Sequence, residues 1–488
     1  MQQNKDGELK RYKQFGLFNL IILLLTTALY AGSFEEFKKN QNSAFSEFRD
    51  KNDIAFNNYL KAQWEEYTAQ ESASLYQRQK PKSITPSLEE KIKSVGPRVN
   101  IKLPKQLEIS KNIPTSLPEN EEKLKDLTFV FFGQDVGFAI DSSSKDAQFY
   151  PQNQSGIANF FARMAASDYE ETLRDIKVVS KNLQLNDWGI YQLVLQLSNT
   201  LYSHPDSQKL FAWFLFNKLG YEVKIGLTNK HVILMHASKK IIYATPNYSF
   251  SGKKFYVMSQ YAKGSTAKLY TYKQNYPGAT KTLDLSLATL PRFIKNEQKK
   301  TLSFRQFGKK YSTTFTYDKN LIDFMASYPQ ADYETYFNAP ISEEVYAQIA
   351  TDIKKYINNK HSSTAINFVL NFVQKAFKYE RDQQQFGREK VMFANETLYY
   401  DKSDCEDRAI LFATLVKKLF GISVIGVKYK DHMATALYIP LKGDSVKAGS
   451  RKFIIADPTY VNANIGQSMP KYKSVIPQSY IVVKQSNS

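Results

Sequence analysis

Cys405 is the only cysteine in 488 residues, and it stands in Ser403-Asp404-Cys405-Glu406-Asp407-Arg408-Ala409, just ahead of an apolar run. His432 follows in Asp431-His432-Met433-Ala434-Thr435-Ala436-Leu437, and Asp457 in Ile455-Ala456-Asp457-Pro458-Thr459-Tyr460. A thiol, an imidazole and a carboxylate are the parts that nucleophilic catalysis needs. The thiolate attacks a carbonyl carbon, the histidine moves the proton, and the acid holds the imidazole in the correct tautomer. A lone thiol is often a small buried hydrophobe, but the flanking Asp404, Glu406 and Asp407 are poor company for a core position.

The elements that must position these groups can be read from the local pattern. Ile410, Leu411, Leu415 and Leu419 recur at helical spacing. Ser403 with Glu406 three residues on forms a capping box, which starts the helix at Ser403 and puts Cys405 in its first turn. Free backbone N–H groups and the positive end of the helix dipole favour thiolate there. Glu406 and Asp407 oppose it, so an ion pair with His432 has to supply part of the depression. Asp407 reads as a solvated first-turn carboxylate, and Arg408 as local charge balance. Gly421 suits the helix C-terminus and Ile422–Val427 reads as a strand. His432 opens a second strand through Tyr438, and Phe453–Ala456 is a third, ended at Asp457 by Pro458.

Over roughly residues 342–470 these motifs resemble the transglutaminase-like superfamily, whose papain-like core carries a Cys-His-Asp triad in this order. The resemblance implies Cys405 as nucleophile, His432 as base and Asp457 as orienting acid. It also implies a polar or aromatic oxyanion donor upstream, for which Tyr399 and Tyr400 are candidates beside the backbone N–H of Cys405.

The segment has a counterpart upstream. Leu210-Phe211-Ala212 corresponds to Leu411-Phe412-Ala413, Val223 to Val424 and His231 to His432. Ala244-Thr245-Pro246-Asn247-Tyr248 parallels Ala456-Asp457-Pro458-Thr459-Tyr460. Depending on where the gap falls, the counterpart of Cys405 is His204 or is absent, and Thr245 replaces Asp457. The first copy therefore reads as a degenerate, non-catalytic module. His204, His231 and His236 lack a ligand pattern, so neither a metal nor a cofactor is expected.

The expected fold is α+β: a Cys-bearing helix packed on antiparallel strands in a papain-like, transglutaminase-like core, duplicated and preceded by a long helix. Residues 1–31 combine Lys5, Lys10, Arg11 and Lys13 with an apolar stretch from Phe15 to Ala31, as in a signal peptide or membrane anchor. Residues 32–76 read as one long amphipathic helix, because Phe34/Phe37, Phe45/Phe48 and Phe56/Tyr59 recur every eleven residues with Tyr67 next in line. Such a stripe, within residues 33–67, implies self-association or a partner helix. Residues 77–125 carry Pro81, Pro86, Pro97, Pro104, Pro114 and Pro118 and read as a semi-extended linker. Residues 126–250 form the degenerate module, 251–340 a β-rich connection and 341–488 the catalytic domain.

With one cysteine no intrachain disulfide can form. The net charge of +19 is spread along the chain without a nucleic-acid motif, which points to anionic envelope polymers or a membrane surface and away from nucleic acid. The reading is an exported, periplasmic or envelope-associated cysteine hydrolase that cleaves an amide in a protein or peptide substrate through a thioester. Transfer to an amine, or a non-catalytic scaffold, are the alternatives.

Overall fold

The computed structural model describes residues 49–62, 64–103, 125–229, 231–258 and 268–484. Residues 49–60 are helical (α1) and lead to strand β1, Glu65–Thr68. Residues 69–103 hold only isolated bridges. The hairpin β2–β3 (Leu127–Phe131, Gln134–Phe138) precedes helices α2 (Ser142–Lys145), α3 (Gln154–Ala165), α4 (Tyr169–Asn182), α5 (Asp187–Leu201) and α6 (Pro205–Lys218). Strands β4 (Val223–Thr228), β5 (His231–Ser238), β6 (Asn247–Phe250), β7 (Lys253–Tyr256) and β8 (Lys268–Thr271) follow.

The second half opens with the hairpin β9–β10 (Glu297–Gln306, Lys309–Asp318) and helices α7 (Lys319–Ala326), α8 (Tyr333–Phe337), α9 (Glu343–Ile357) and α10 (Ser362–Lys375). After β11 (Lys378–Tyr379), α11 (Asp382–Gln385), α12 (Ala394–Tyr399) and β12 (Lys402–Ser403) comes α13, Cys405–Phe420. It ends at Gly421, whose φ of 66° is a left-handed C-cap that glycine adopts without steric cost. Strands β13 (Val424–Lys428), β14 (Met433–Leu437), β15 (Ser445–Ala448), β16 (Arg451–Ala456) and β17 (Ser479–Val482) complete an α+β fold.

Each large sheet is antiparallel throughout. The first has the order β1-β8-β4-β5-β7-β6, and the second β15-β16-β14-β13-β17. Read from the opposite edge, the first is β6-β7-β5-β4-β8 with β1 added. The central pairs share a register: Val223 faces His236, and Val424 faces Leu437. Helix α6 packs on β4 and β5 as α13 packs on β13 and β14. One apolar core runs through both halves, and smaller clusters cover the other face of each sheet. This explains why β14 is buried at all five positions instead of alternating.

Two expectations for the N-terminal third need correction. The chain is not one helix over 32–76, since the helix stops at 60 and Glu65–Thr68 pairs with β8, with Tyr67 opposite Leu269. The earlier aromatic pairs lie outside the described residues, but Phe56 does not await a partner. It is fully buried, its ring 5.3 Å from Phe161 and Tyr276 and 5.8 Å from Tyr272. An eleven-residue period shows that one face is apolar without saying what covers it, and here the chain's own first half does. Nor is the described part of 77–125 a free linker. Ser87 N–H donates to Val461 O at 2.8 Å, Asn464 Nδ2 to Glu90 O at 3.0 Å, and Val99 N–H to Lys360 O at 2.9 Å. With no ladder of its own, this proline-bearing stretch finds backbone partners on the second half. β7 and β8 also belong to the first sheet, not to a separate connection from 251.

No helix among the described residues is long and apolar enough to cross a membrane, and Phe15–Ala31 lies outside them. The position of Phe56 yields a direct test. Phe56→Ala should lower unfolding stability by about 3–5 kcal/mol through lost burial and cavity formation. A urea midpoint unchanged from wild type would mean that α1 does not belong to the core.

Candidate active site

The start of α13 is built differently from the expected capping box. Asp404, not Ser403, is the N-cap, and the Asp407 carboxylate accepts the Asp404 N–H at 3.1 Å and the Met392 N–H at 2.8 Å. Asp407 is therefore a buried structural acceptor instead of a solvated carboxylate. Ser403 sits in the short parallel bridge β11–β12 and accepts from Arg408 Nε at 3.1 Å. The two terminal nitrogens of Arg408 donate to Gln374 O at 3.2 Å and Phe377 O at 2.8 Å. Arg408 thus ties the cysteine's helix to the carbonyl end of α10, where a cation is favourable. Burial lowers its pKa to about 10, so it stays charged at neutral pH.

His432 stands directly before β14, where its carbonyl accepts the Tyr429 N–H at 2.8 Å. The register Thr435 opposite Ala456, carried one residue further, sets Asp457 across from Ala434 on the face His432 shares. His432 Nε2 and Asp457 Oδ2 lie 2.8 Å apart. The other carboxylate oxygen accepts the N–H groups of Thr459 at 2.9 Å and Tyr460 at 3.2 Å. Gln374 Nε2 holds the Asp457 carbonyl at 3.0 Å. The imidazole lies flat on Tyr472, with ring centroids 4.7 Å apart and planes at 15°. His432 Nδ1 is buried and has no hydrogen-bond partner, so it is the nitrogen left to take a proton.

The thiol is not hydrogen-bonded to that nitrogen. Cys405 Sγ donates to Glu406 Oε2 at 3.1 Å, and Tyr76 Oη donates to the same oxygen at 2.9 Å while lying 3.8 Å from Sγ. Lys80 Nζ contacts Asp404 at 2.5 Å, Glu406 at 2.8 Å, Glu389 at 2.8 Å and Asp382 at 3.0 Å. Cys405 and His432 are 0% exposed and Asp457 is 2% exposed. Burial first, then Glu406 and Asp404, push the thiol's pKa well above its ordinary value, with Lys80 opposing. The helix-start advantage expected for thiolate is outweighed in this arrangement. Burial raises the Asp382 carboxyl to about 7. At Glu406 burial acts upward, but Lys80 prevails and brings it to about 2. Asp382, Glu389, Asp404, Glu406 and Asp407 stand in sets close enough to share an ion, and the cation seated among them here is the Lys80 ammonium.

Tyr399 and Tyr400 have their rings packed on aromatic neighbours outside the Cys405–His432–Asp457 set. Tyr399 packs on Tyr317 at 5.3 Å beside the β9–β10 hairpin, and Tyr400 on Phe386 at 5.2 Å. The hydroxyl beside the thiol is that of Tyr76, which sequence reasoning assigned to the end of a helix. Lys80 was equally hidden, as one basic residue before Pro81 in a linker-like stretch. Neither carries a local signal, because both reach the site across more than three hundred residues of chain.

In the first half, His204 is the exposed N-cap of α6 and accepts the Asp206 N–H at 3.2 Å. His231 is exposed, with Nδ1 3.3 Å from Asp206 Oδ2. Thr245 is not placed as Asp457 is. It lies in the turn before β6 and donates to Tyr243 O at 2.9 Å, whereas the strand in the place of β16 is β7. Sequence matching skipped the β6–β7 hairpin, since Ala-Thr-Pro resembles Ala-Asp-Pro locally. His236 is buried against Phe216 and Tyr191, and burial lowers its pKa to about 3. Comparison with family models, curated proteins and solved structures finds no match to this chain.

Because the chain holds a single cysteine, alkylation reports this thiol alone. Burial and the adjoining carboxylates oppose thiolate, which shifts ionisation to higher pH. Iodoacetamide should modify the folded protein at about pH 7.5 at least ~10-fold more slowly than the urea-unfolded chain, with the rate still rising above about pH 9. Equal rates for the folded and unfolded chains would contradict this environment.

Proposed function

We propose that this chain is a cysteine hydrolase, a peptidase or amidase of transglutaminase-like type, and that its two halves are duplicated papain-like modules of which only the second is catalytic. The observation that carries the reading is the buried His432–Asp457 pair, with its carboxylate locked by two backbone N–H groups and Nδ1 left unbonded. That is the arrangement of a base held in one tautomer. Cys405 at the first position of α13 supplies the nucleophile. The shared strand order and register of the two sheets support the duplication, and the exposed His231 with no thiol on α6 supports loss of chemistry in the first copy.

In the reaction, His432 Nδ1 takes the thiol proton and Sγ attacks the amide carbonyl carbon. The tetrahedral oxyanion is met by the Cys405 N–H, and the imidazolium returns its proton to the departing amine. Water, deprotonated by the same imidazole, then cleaves the thioester. An amine in place of water would make the enzyme a cross-linking acyltransferase, and the resemblance favours water. An exported, envelope-associated location remains part of the proposal through the basic and apolar leader, with protein or peptide chains as substrates.

Two measurements test it. His432→Ala should slow alkylation of Cys405 by about tenfold or more, because the imidazole is what stabilises thiolate in the accessible form. Turnover of a peptide-amide library, read as new amino termini, should vanish in Cys405→Ala. It should fall roughly 10²–10⁴-fold in His432→Ala and in Asp457→Asn, with the fold retained. Alkylation indifferent to His432, together with no turnover, would leave a scaffold carrying an inert buried thiol.

A further inference from the structure

The proposed nucleophile and base are both buried: Tyr472 lies on the His432 ring, and one segment of the chain lies against Cys405. Gln70 bridges to Asn247 on the first sheet, and Ser87 N–H reaches Val461 O on the second half. Between these moorings the chain crosses the front of Cys405 without regular structure. Tyr76 and Lys80 point inward and are buried, whereas Gln77, Arg78 and Gln79 are exposed. Tyr76 Oη lies 3.8 Å from Sγ, and Lys80 Nζ sits among Asp404, Glu406, Glu389 and Asp382. The N–H groups of Gln77 and Arg78 both donate to Lys430 O at 3.2 Å, two residues before His432. The segment therefore touches the thiol's helix on one side and the base's loop on the other.

An amide substrate must lie on those same two elements to be attacked. Resting on the hydrolase reading above, we propose that residues 75–81 are an autoinhibitory strap lying where the substrate chain lies, and that the cleft accepts polypeptides offering a basic side chain to Asp404 and Glu406. With no ladder of its own, the strap is held by Tyr76 on Glu406, by Lys80 among four carboxylates and by backbone bonds to Lys430 and Tyr379. A substrate bringing its own cation can replace these contacts. Its tethers at both ends keep its local concentration high, so a free substrate competes poorly until the strap is cut or a mooring yields. Lys80 is the cation the carboxylates require, so whatever displaces the strap has to bring positive charge to the same place. The exposed Arg78–Gln79 bond lies between the two anchors, so a single cut there would turn one tethered plug into two short ends.

The test uses the full chain and the rate of Cys405 alkylation by iodoacetamide. Tyr76→Ala, and a chain cut at a specific protease site inserted between Arg78 and Gln79, should each react at least ~10-fold faster than wild type while keeping its circular dichroism spectrum and urea midpoint. A synthetic peptide covering residues 74–82 should slow alkylation of Tyr76→Ala, and the same peptide carrying Lys80→Glu should not. Folded Tyr76→Ala and cut chains that both react at the wild-type rate would overturn the strap, and protection by both peptides alike would overturn the basic preference. Each comparison is repeated with His432→Ala. Acceleration that persists while His432 proves irrelevant leaves the strap standing and removes the hydrolase. Dependence on His432 without acceleration does the reverse.

Discussion

The ammonium of Lys80 is the charge on which the second half of this molecule is arranged. Asp382, Asp404 and Glu406 are all buried around it. Taking a carboxylate out of water costs several kcal/mol, and crowding such groups adds repulsion, so an uncompensated cluster would bind protons or come apart. One lysine offsets part of that cost: it holds Glu406 ionised, while burial still raises Asp382 to about 7 and Asp404 well above the usual carboxylate range, and it draws residues 75–81 across Cys405. The same contact organises the helix start, holds the N-terminal segment to the distant domain and closes the site. Glu406, next to the thiol in sequence, is held ionised by Lys80 and becomes the acceptor for Sγ–H. Lys80 itself favours thiolate at Cys405, but burial, Glu406 and Asp404 outweigh it, so the thiol's pKa stays well above its ordinary value.

The remaining parts of the site are held independently of that lysine. Arg408 binds the carbonyl end of α10, Asp407 caps the helix and pins Met392, and Gln374 holds the Asp457 carbonyl. These contacts tie the thiol's helix and the histidine–aspartate pair together through buried hydrogen bonds. Motion to open the site is thereby assigned to the strap, whose backbone has few bonds to lose, and not to the strands that carry the proposed base.

The first half repeats the strand order of the second without a thiol on its helix or a buried imidazole beside an aspartate. Its sheet follows the strand order of the second with one added edge strand, and α6 lies where α13 lies. At its helix start a histidine N-cap replaces the aspartate, and His231 faces solvent beside Asp206. Packing demands preserve strand order and core volume, whereas nothing in packing preserves a thiol or a buried imidazole. Instead, this half receives Phe56 from α1 and β1 along its edge, and so serves as the body to which the N-terminal chain is moored.

By itself the sequence determined the α+β character, the helix after Cys405 with its stop at Gly421, and the strands that His432 and Asp457 flank. These are local properties: side-chain periodicity, a glycine cap and a proline after a strand are all read within a few residues. It misplaced the cap by one residue, because Ser403–Glu406 and Asp404–Asp407 are equally good boxes until burial picks one. It gave Thr245 the wrong place, because a three-residue likeness outweighed an unseen hairpin. Only the tertiary structure decided that Phe56 is covered from within, that residues 77–103 of the proline-bearing stretch are bound to the second half, and that Tyr76 and Lys80 stand at the thiol. Those outcomes depend on contacts between segments hundreds of residues apart. No periodicity encodes such contacts, since their energy comes from desolvated charge and cavity filling that exist only once the chain has closed.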